Sequence, residues 1–213
     1  MTLPRIAIDA MGGDDDGPAN APGQFTIKAS AGTLTVQNLT ATAQGDLLPG
    51  EQGPSTIEAT GGDILVTNQM SINVLDDFEV RTGLGSIIGG PSIDNPAANI
   101  SIDTNGTLRF FGDNDALISF GGASVTLSSN DIEINDGARI GGNVFNLIST
   151  NTSAPALLGD GIAPSGVTFG YTLSQAEAGR IEAGIASFTG PIISSSVGSP
   201  ADVFVGDLTI LGS

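Results

Sequence analysis

From residue 24 to about residue 150, apolar and polar residues alternate in short bursts, the period-two pattern of strands that bury one face. The bursts begin with "QFTIKA" (Phe25, Ile27), "TLTVQN" (Leu34, Val36), "STIEAT" (Ile57, Ala59), "DILVTN" (Ile64, Val66), "SINVLD" (Ile72, Val74) and "DFEVRT" (Phe78, Val80). They continue through "NISIDT" (Ile100, Ile102), "TLRFFG" (Leu108, Phe110), "SVTLSS" (Val125, Leu127) and "DIEIND" (Ile132, Ile134). The leading apolar residues Ile64, Ile72 and Phe78, and later Val125, Ile132 and Ile140, follow one another at six to eight residues. That interval holds one short strand and a tight turn, and three such units make a rung of about 20 residues, the size of one solenoid coil. The pattern predicts an all-β fold, a parallel β-helix with roughly six coils between residues 24 and 150. A β-sandwich also has short strands, but at wider spacing and with aromatic core anchors. Here aromatics are 5% and Trp is absent.

Turns between the bursts are built from Asn, Asp and Gly: Asn38, Gly61-Gly62-Asp63, Asn68, Asp76-Asp77, Asn105-Gly106, Gly112-Asp113, Asn130, Asp136-Gly137 and Gly141-Gly142-Asn143. Such residues accept left-handed backbone or bond their own main chain, so the chain can turn a corner every few residues. Residues 41–55 and 89–99 carry Pro and Gly clusters and are expected to be loops protruding from the coil. The rhythm loosens after residue 150. In "YTLSQAEAGRIEAGIAS" the period changes: Ser174 and Glu177 form a capping box, and Leu173, Ala176, Ile181 and Ile185 fall near helical spacing, which predicts a short helix near 174–182. Alternation returns at Val203, Val205, Leu208 and Ile210. The organisation expected is a leader or cap at 1–22, β-helix coils at 23–150, and a looser continuation with the helix at 151–213.

Composition narrows the chemistry. The 213 residues contain 23 acidic and 6 basic side chains, a net charge of -17, and the cations Arg5, Lys28, Arg81, Arg109, Arg139 and Arg180 are scattered. No basic stripe can neutralise phosphates, so nucleic acid and anionic membrane are not expected partners. With no Cys and no His, thiolate nucleophiles, Ser-His-Asp triads, disulfides and the usual zinc and haem ligand sets are absent. No apolar run reaches the roughly 18 residues of a membrane helix, so insertion is not expected. The opening "MTLPRIAIDAMGG" lacks the apolar core of a secretory signal, so an exported form would make this chain a fragment of a larger protein.

Two resemblances bear on function. "LSQAEAGRIEAG", residues 173 to 184, resembles a motif that recurs in large secreted proteins of the filamentous-haemagglutinin type, where Leu-Ser-x-Ala-Glu precedes Arg-Ile and then Ala-Gly between groups of coils. The matching positions are Leu173, Ser174, Ala176, Glu177, Arg180, Ile181, Ala183 and Gly184, with Ala178 where those proteins more often have leucine. Phrases such as "GGDILVTN" and "NDGARIGGN" are similar to their Gly- and Asn-punctuated repeats. The resemblance, over residues 24 to 213, implies a right-handed β-helix, surface adhesion or delivery of a terminal effector, and no catalytic residues in this region. Separately, "RIAIDAMGGDDDGP", residues 5 to 18, resembles the opening of the phosphate acyltransferases of phospholipid synthesis. That match stops where those enzymes continue into helices between parallel strands.

The chemistry-bearing candidates are acidic. Asp14, Asp15 and Asp16, and the pair Asp113 and Asp115, offer the hard oxygen ligands that calcium takes, although no EF-hand or calcium-repeat spacing appears. Asp76 and Asp77 form a further acidic pair. Asp131 and Glu133 share one strand face about 7 Å apart, and paired carboxylates on a β-helix face serve polysaccharide hydrolases as acid and base. Arg81, Arg109 or Arg139 would complete such a site. Thr33, Thr35, Thr107 and Thr126 raise an ice-binding face but keep no fixed coil spacing. Asn38, Asn99, Asn105 and Asn151 head glycosylation sequons.

The expectation is a structural, adhesive β-helix segment of a secreted or cell-surface protein, with no catalytic or cofactor-binding residues. Its expected partners are a host or surface receptor, a glycan, or another copy of itself. The alternative is a carbohydrate-active β-helix enzyme, a polysaccharide lyase or hydrolase, with calcium as its one candidate cofactor; an acyltransferase is third.

Overall fold

The computed structural model describes residues 2–11, 24–44, 54–75, 77–83, 87–89, 99–113, 116–120, 124–151, 153–159, 168–190 and 207–212. In chain order the first strands are β1 (Thr2–Met11), β2 (Thr26–Ala29), β3 (Gly32–Gln44), β4 (Ser55–Ala59), β5 (Gly62–Val74), β6 (Phe78–Thr82), β7 (Ile87–Gly89), β8 (Asn99–Thr104) and β9 (Thr107–Phe111). They are followed by β10 (Ala116–Ser119), β11 (Ser124–Ser129), β12 (Asp131–Ile134), β13 (Ala138–Ser149), β14 (Ala156–Leu158) and β15 (Tyr171–Leu173). A single helical turn, α1 (Gln175–Ala178), precedes β16 (Ile181–Gly190) and β17 (Asp207–Gly212). The protein is all-β, and no helix among the described residues is long and apolar enough to cross a membrane.

Every described strand pair is parallel, which excludes an antiparallel sandwich. The ten-stranded sheet runs β1-β3-β5-β8-β11-β13-β16-β17, with β7 beside β5 and β10 beside β13. A five-stranded sheet runs β12-β9-β6-β4-β2, and β14 pairs with β15. Parallel neighbours need a crossover connection. From β1 to β13 each crossover between strands of the large sheet contains a strand of the smaller one, so both sheets grow in chain order, and the crossover from β13 to β16 holds β14, β15 and α1 instead.

Long strands serve two pairing zones. In β5, residues 64–66 lie beside β7 while residues 69–74 lie beside β8. In β13, residues 138–141 lie beside β10 and residues 144–149 beside β11. A register shift between Val36 and Asn38 marks the change of zone where β3 meets β5. The chain therefore visits three zones in a fixed order: the five-stranded sheet, then the first and second halves of the large sheet.

The 20-residue rung needs correction. Thr26 and Thr56 touch across 30 residues, Arg109 and Glu133 across 24, Asn130 and Thr150 across 20, and Asn146 and Ser187 across 41. Within the two larger sheets, twenty is the shortest return among the described register partners. Strands of 13 residues, β3 and β5, together with the segments between zones, lengthen the others. Two further boundaries move. Residues 41–44 continue β3 and Ser55 opens β4, while Gly89 closes β7 and Asn99 opens β8, so both expected loops begin and end in strand; residues 45–53 and 90–98 lie outside the described residues. The helix is four residues long, and Ile181 and Ile185 stand on β16. Val203 and Val205 lie outside the described residues.

The core is a set of apolar columns running across the strands. Ile27, Ile57, Val80, Phe110 and Ile134 are register partners through the smaller sheet. Ile8, Ala41, Ile72, Ile102, Leu127, Leu147 and Phe188 are partners through the larger. Apart from Ile27 and Ile8, both at the edge of their columns, these residues are almost fully buried. Burying one such side chain stabilises the fold by roughly 1.5–3 kcal/mol, so stacking in register turns a weak alternation into a continuous core. β1 belongs to it: Ile6, Ile8 and Ala10 pack against the core while Arg5, Ala7 and Asp9 are exposed. Corners between zones are tight. A methyl on Gly62 would lie 2.1 Å from the carbonyl oxygen of Gly32, and one on Gly112 would lie 2.5 Å from that of Gly137.

Candidate functional site

Outward positions of the smaller sheet carry the charge. Lys28 and Glu58 are register partners and pair at 2.7 Å. Arg81, next in that row, pairs with Glu79 and lies 4.4 Å over the Phe111 ring, a cation-π contact. In the neighbouring row Arg109 stands between Glu79 and Glu133. It binds Glu133 at 2.9 Å and also the Asp77 carboxylate, and Asp77 in turn accepts the Thr107 N–H at 2.7 Å. Burial disfavours the Arg109 charge, but the bonded Asp77 and then Glu133 outweigh it and hold the guanidinium above its ordinary value.

The row ends at β12, and there the sheet meets a plug. Glu177 Oε1 accepts the Ile134 N–H at 3.2 Å, and Arg180 donates to the Ile134 carbonyl at 2.6 Å. Two side chains thus take the backbone groups of an edge residue that a further strand would otherwise pair. Glu177 Oε2 accepts from the Ser174 N–H and hydroxyl at 3.0 and 2.7 Å, and the Ser174 oxygen accepts the Glu177 N–H at 3.2 Å. The capping box expected from the sequence is present, and its carboxylate also anchors the turn to β12. Arg180 pairs with the exposed Asp136. Ala178, smaller than the leucine of the resembling motif, is fully buried.

Between the plug and β12 lies a groove of about 370 Å³, with Phe110, Phe111 and Ile134 on one side and Ser174, Ala176 and Glu177 on the other. Glu133, Asn135, Asp136 and Arg180 complete it. Its carboxylates are engaged: Glu133 with Arg109, Asp136 with Arg180, Glu177 with main-chain N–H groups. A polar ligand entering here would exchange these bonds for its own.

Asp131 and Glu133 do not face one groove, because Asp131 turns to β15. Its Oδ1 accepts the Thr172 N–H at 2.7 Å and the Thr172 hydroxyl at 3.2 Å. Burial raises its pKa from the ordinary aspartate value, against the lowering effect of the Thr172 and Ile132 N–H groups. Tyr171, beneath it, is fully buried, and desolvation, then the Asp131 and Glu177 charges, push its phenol far above the ordinary value. Arg139 pairs with Glu182 on β16, in another zone from these acids.

For the calcium candidates, Asp113 is exposed, and Asp14, Asp15, Asp16 and Asp115 lie outside the described residues, as does Asp76. Among the described residues no cluster of three or more acidic side chains could hold a metal ion.

The threonines singled out from sequence do not share a column: Thr33 and Thr35 lie on β3, Thr107 on β9 and Thr126 on β11. Thr126 does belong to a different one. Thr40, Ser71, Ser101, Thr126, Asn146, Ser187 and Thr209 are successive register partners across the second half of the large sheet, and Ser187 donates to Asn146 Oδ1 at 2.8 Å. This uncharged column of hydroxyls and amides escaped the sequence reading because its members recur at unequal intervals. The charged rows of one sheet and the uncharged column of the other give the molecule two chemically different outer surfaces. Comparison with protein-family models, with curated proteins and with solved structures finds no match to this chain, so these surfaces are read from their own chemistry.

Proposed function

We propose that the chain is a segment of a right-handed parallel β-helix that serves a structural and adhesive role in a secreted or surface-exposed protein. The observation that carries this reading is the order of pairing: parallel strands stack in chain order through three zones, with apolar columns inside and charged register partners such as Arg109 and Glu133 outside. Each turn supports the next, which makes a stiff body that can present segments sideways. Segments 45–53 and 90–98, which join successive zones, are the contact elements. The hydroxyl and amide column adds hydrogen-bond donors and acceptors repeating about every 4.8 Å, suited to a polyhydroxylated surface such as a glycan. Binding of the full chain to arrayed glycans and to cell surfaces tests this, alongside chains in which 45–53 or 90–98 is replaced by a Gly-Ser stretch of equal length. Loss of binding with an unchanged melting temperature is expected. Equal binding by all three chains, or binding by none, would count against the reading.

The second reading, a carbohydrate-active enzyme, is favoured by the groove, where Glu133 and Asp136 flank an aromatic side. Acid-base chemistry would require one of them to be released from its arginine. Turnover of a uronate-rich polysaccharide, with or without calcium, that disappears in Glu133→Gln or Asp136→Asn would establish it in place of the structural role.

A further inference from the structure

The large sheet ends in two strands that each have one partner among the described residues, β1 beside β3 and β17 beside β16. Since all strands are parallel and ordered along the chain, these edges run in the same direction. One register row can be followed across the whole sheet: Arg5, Asn38, Gln69, Asn99, Ser124, Val144, Ile185, Asp207. It begins with a cation and ends with an anion. The rows that begin with Ile6 and Ile8 reach the register positions of Leu208 and Ile210 on β17.

We propose that copies of this chain join head to tail, β17 of one pairing in parallel with β1 of the next, so that Asp207 stands opposite Arg5, Leu208 opposite Ile6 and Ile210 opposite Ile8. Three observations on β1 support it. Arg5 is exposed, and among the described residues it meets no carboxylate, whereas Lys28, Arg81, Arg109, Arg139 and Arg180 all do. Ile6 and Ile8 are only partly buried, while Leu39 and Ala41, their partners one strand further in, are 1% exposed. A second copy would complete both the charge pair and the apolar rows. The joint uses different surfaces on the two partners and adds each copy along the direction in which the strands stack, so it leaves a free edge at each end and generates an open chain of copies. It rests on strand register and on the exposure of β1, and does not depend on what segments 45–53 and 90–98 contact.

Sedimentation over a range of protein concentrations, with electron microscopy of the concentrated sample, provides the test. The expected result is a mass that keeps rising with concentration and linear particles. Opposite charges across a strand pair attract and like charges repel by comparable amounts, so Arg5→Asp or Asp207→Arg alone should weaken association about two- to thirtyfold. A one-to-one mixture of the two variants should recover it, because the acid introduced on β1 of one variant then meets the base introduced on β17 of the other, while the unaltered Arg5 and Asp207 still meet each other. Should Arg5→Asp disturb folding by circular dichroism, the neutral Arg5→Gln reads the same pair with a smaller loss. A chain that stays monomeric, a species that stops at a dimer, or variants that associate as the parent does while their mixture adds nothing, would each overturn the proposal.

Discussion

At Tyr171 a phenol is wholly buried, its ring packed 5.1 Å from that of Phe188, and its hydroxyl meets no hydrogen-bond partner among the described residues; the Ser129 and Ser149 hydroxyls share this state. An unsatisfied buried polar group costs about 1–3 kcal/mol. Tyr171→Phe keeps the ring and removes the group, so chemical denaturation should find it about 1 kcal/mol more stable; a loss of that size would mean the hydroxyl is satisfied. Above it, Asp131 is ionised in a place that disfavours charge. Its pKa in the folded chain is raised, so the folded state holds the proton more tightly than the unfolded one, and stability from this group falls as pH rises between the ordinary carboxylate value near 3.8 and the raised one. Asp131→Asn preserves an acceptor for the Thr172 N–H and discards the charge. Melting temperatures should show the variant more stable at neutral pH, with the advantage shrinking as acid protonates the parent. A pH-independent difference would remove desolvation as the cause.

Elements were legible where alternation and register agree. The strands from Phe25 to Ile134 fall where Ile, Val and Leu alternate with polar residues, and the capping box at Ser174 and Glu177 was readable from two letters at the right spacing. The long strands were not, because Asn38 and Asn68 read as turns. In the fold they mark the change of zone, with the Asn68 side chain donating to Asn38 Oδ1 at 2.6 Å, so the strand carries on past the corner. The groove was not legible either, since it joins Phe110 to Arg180 across a separation that no local pattern encodes. What the Ser174–Arg180 segment does for the sheet was equally hidden: Glu177 and Arg180 substitute for a strand at Ile134. Glu177→Ala should therefore loosen two elements together, fraying α1 and releasing the Ile134 amide. A capped helix end is worth about 1 kcal/mol, and a hydrogen bond to a charged group about 1.5–3 kcal/mol. Hydrogen exchange should accelerate at Ile134 and at the Ser174 amide while Ile102 stays protected. Acceleration confined to α1 would show that the anchoring bond carries no weight.

For the whole molecule the dominant electrostatic fact is a net charge of -17 on 213 residues, set against local pairs of opposite sign. The two respond to salt in opposite directions. Lys28–Glu58, Arg139–Glu182 and Arg180–Asp136 lie at least partly in solvent, where such pairs contribute about 0–1 kcal/mol each and weaken on screening. The excess negative charge opposes the compact state at longer range, and screening relieves it. Raising ionic strength from about 0.01 to 0.15 M shortens the screening length from roughly 30 to 8 Å. That removes most of the long-range repulsion while leaving contacts at 2.7 Å, such as Lys28–Glu58, comparatively intact. The melting temperature should therefore rise with sodium chloride, measured at a concentration where sedimentation finds monomers so that association does not contribute. A fall would mean that the paired rows of the smaller sheet outweigh the net charge. Calcium at matched ionic strength adds a second arm: diffuse neutralisation predicts a modest further rise that magnesium reproduces. A rise specific to calcium and reduced by Asp113→Asn would instead place a cation site at that acidic corner.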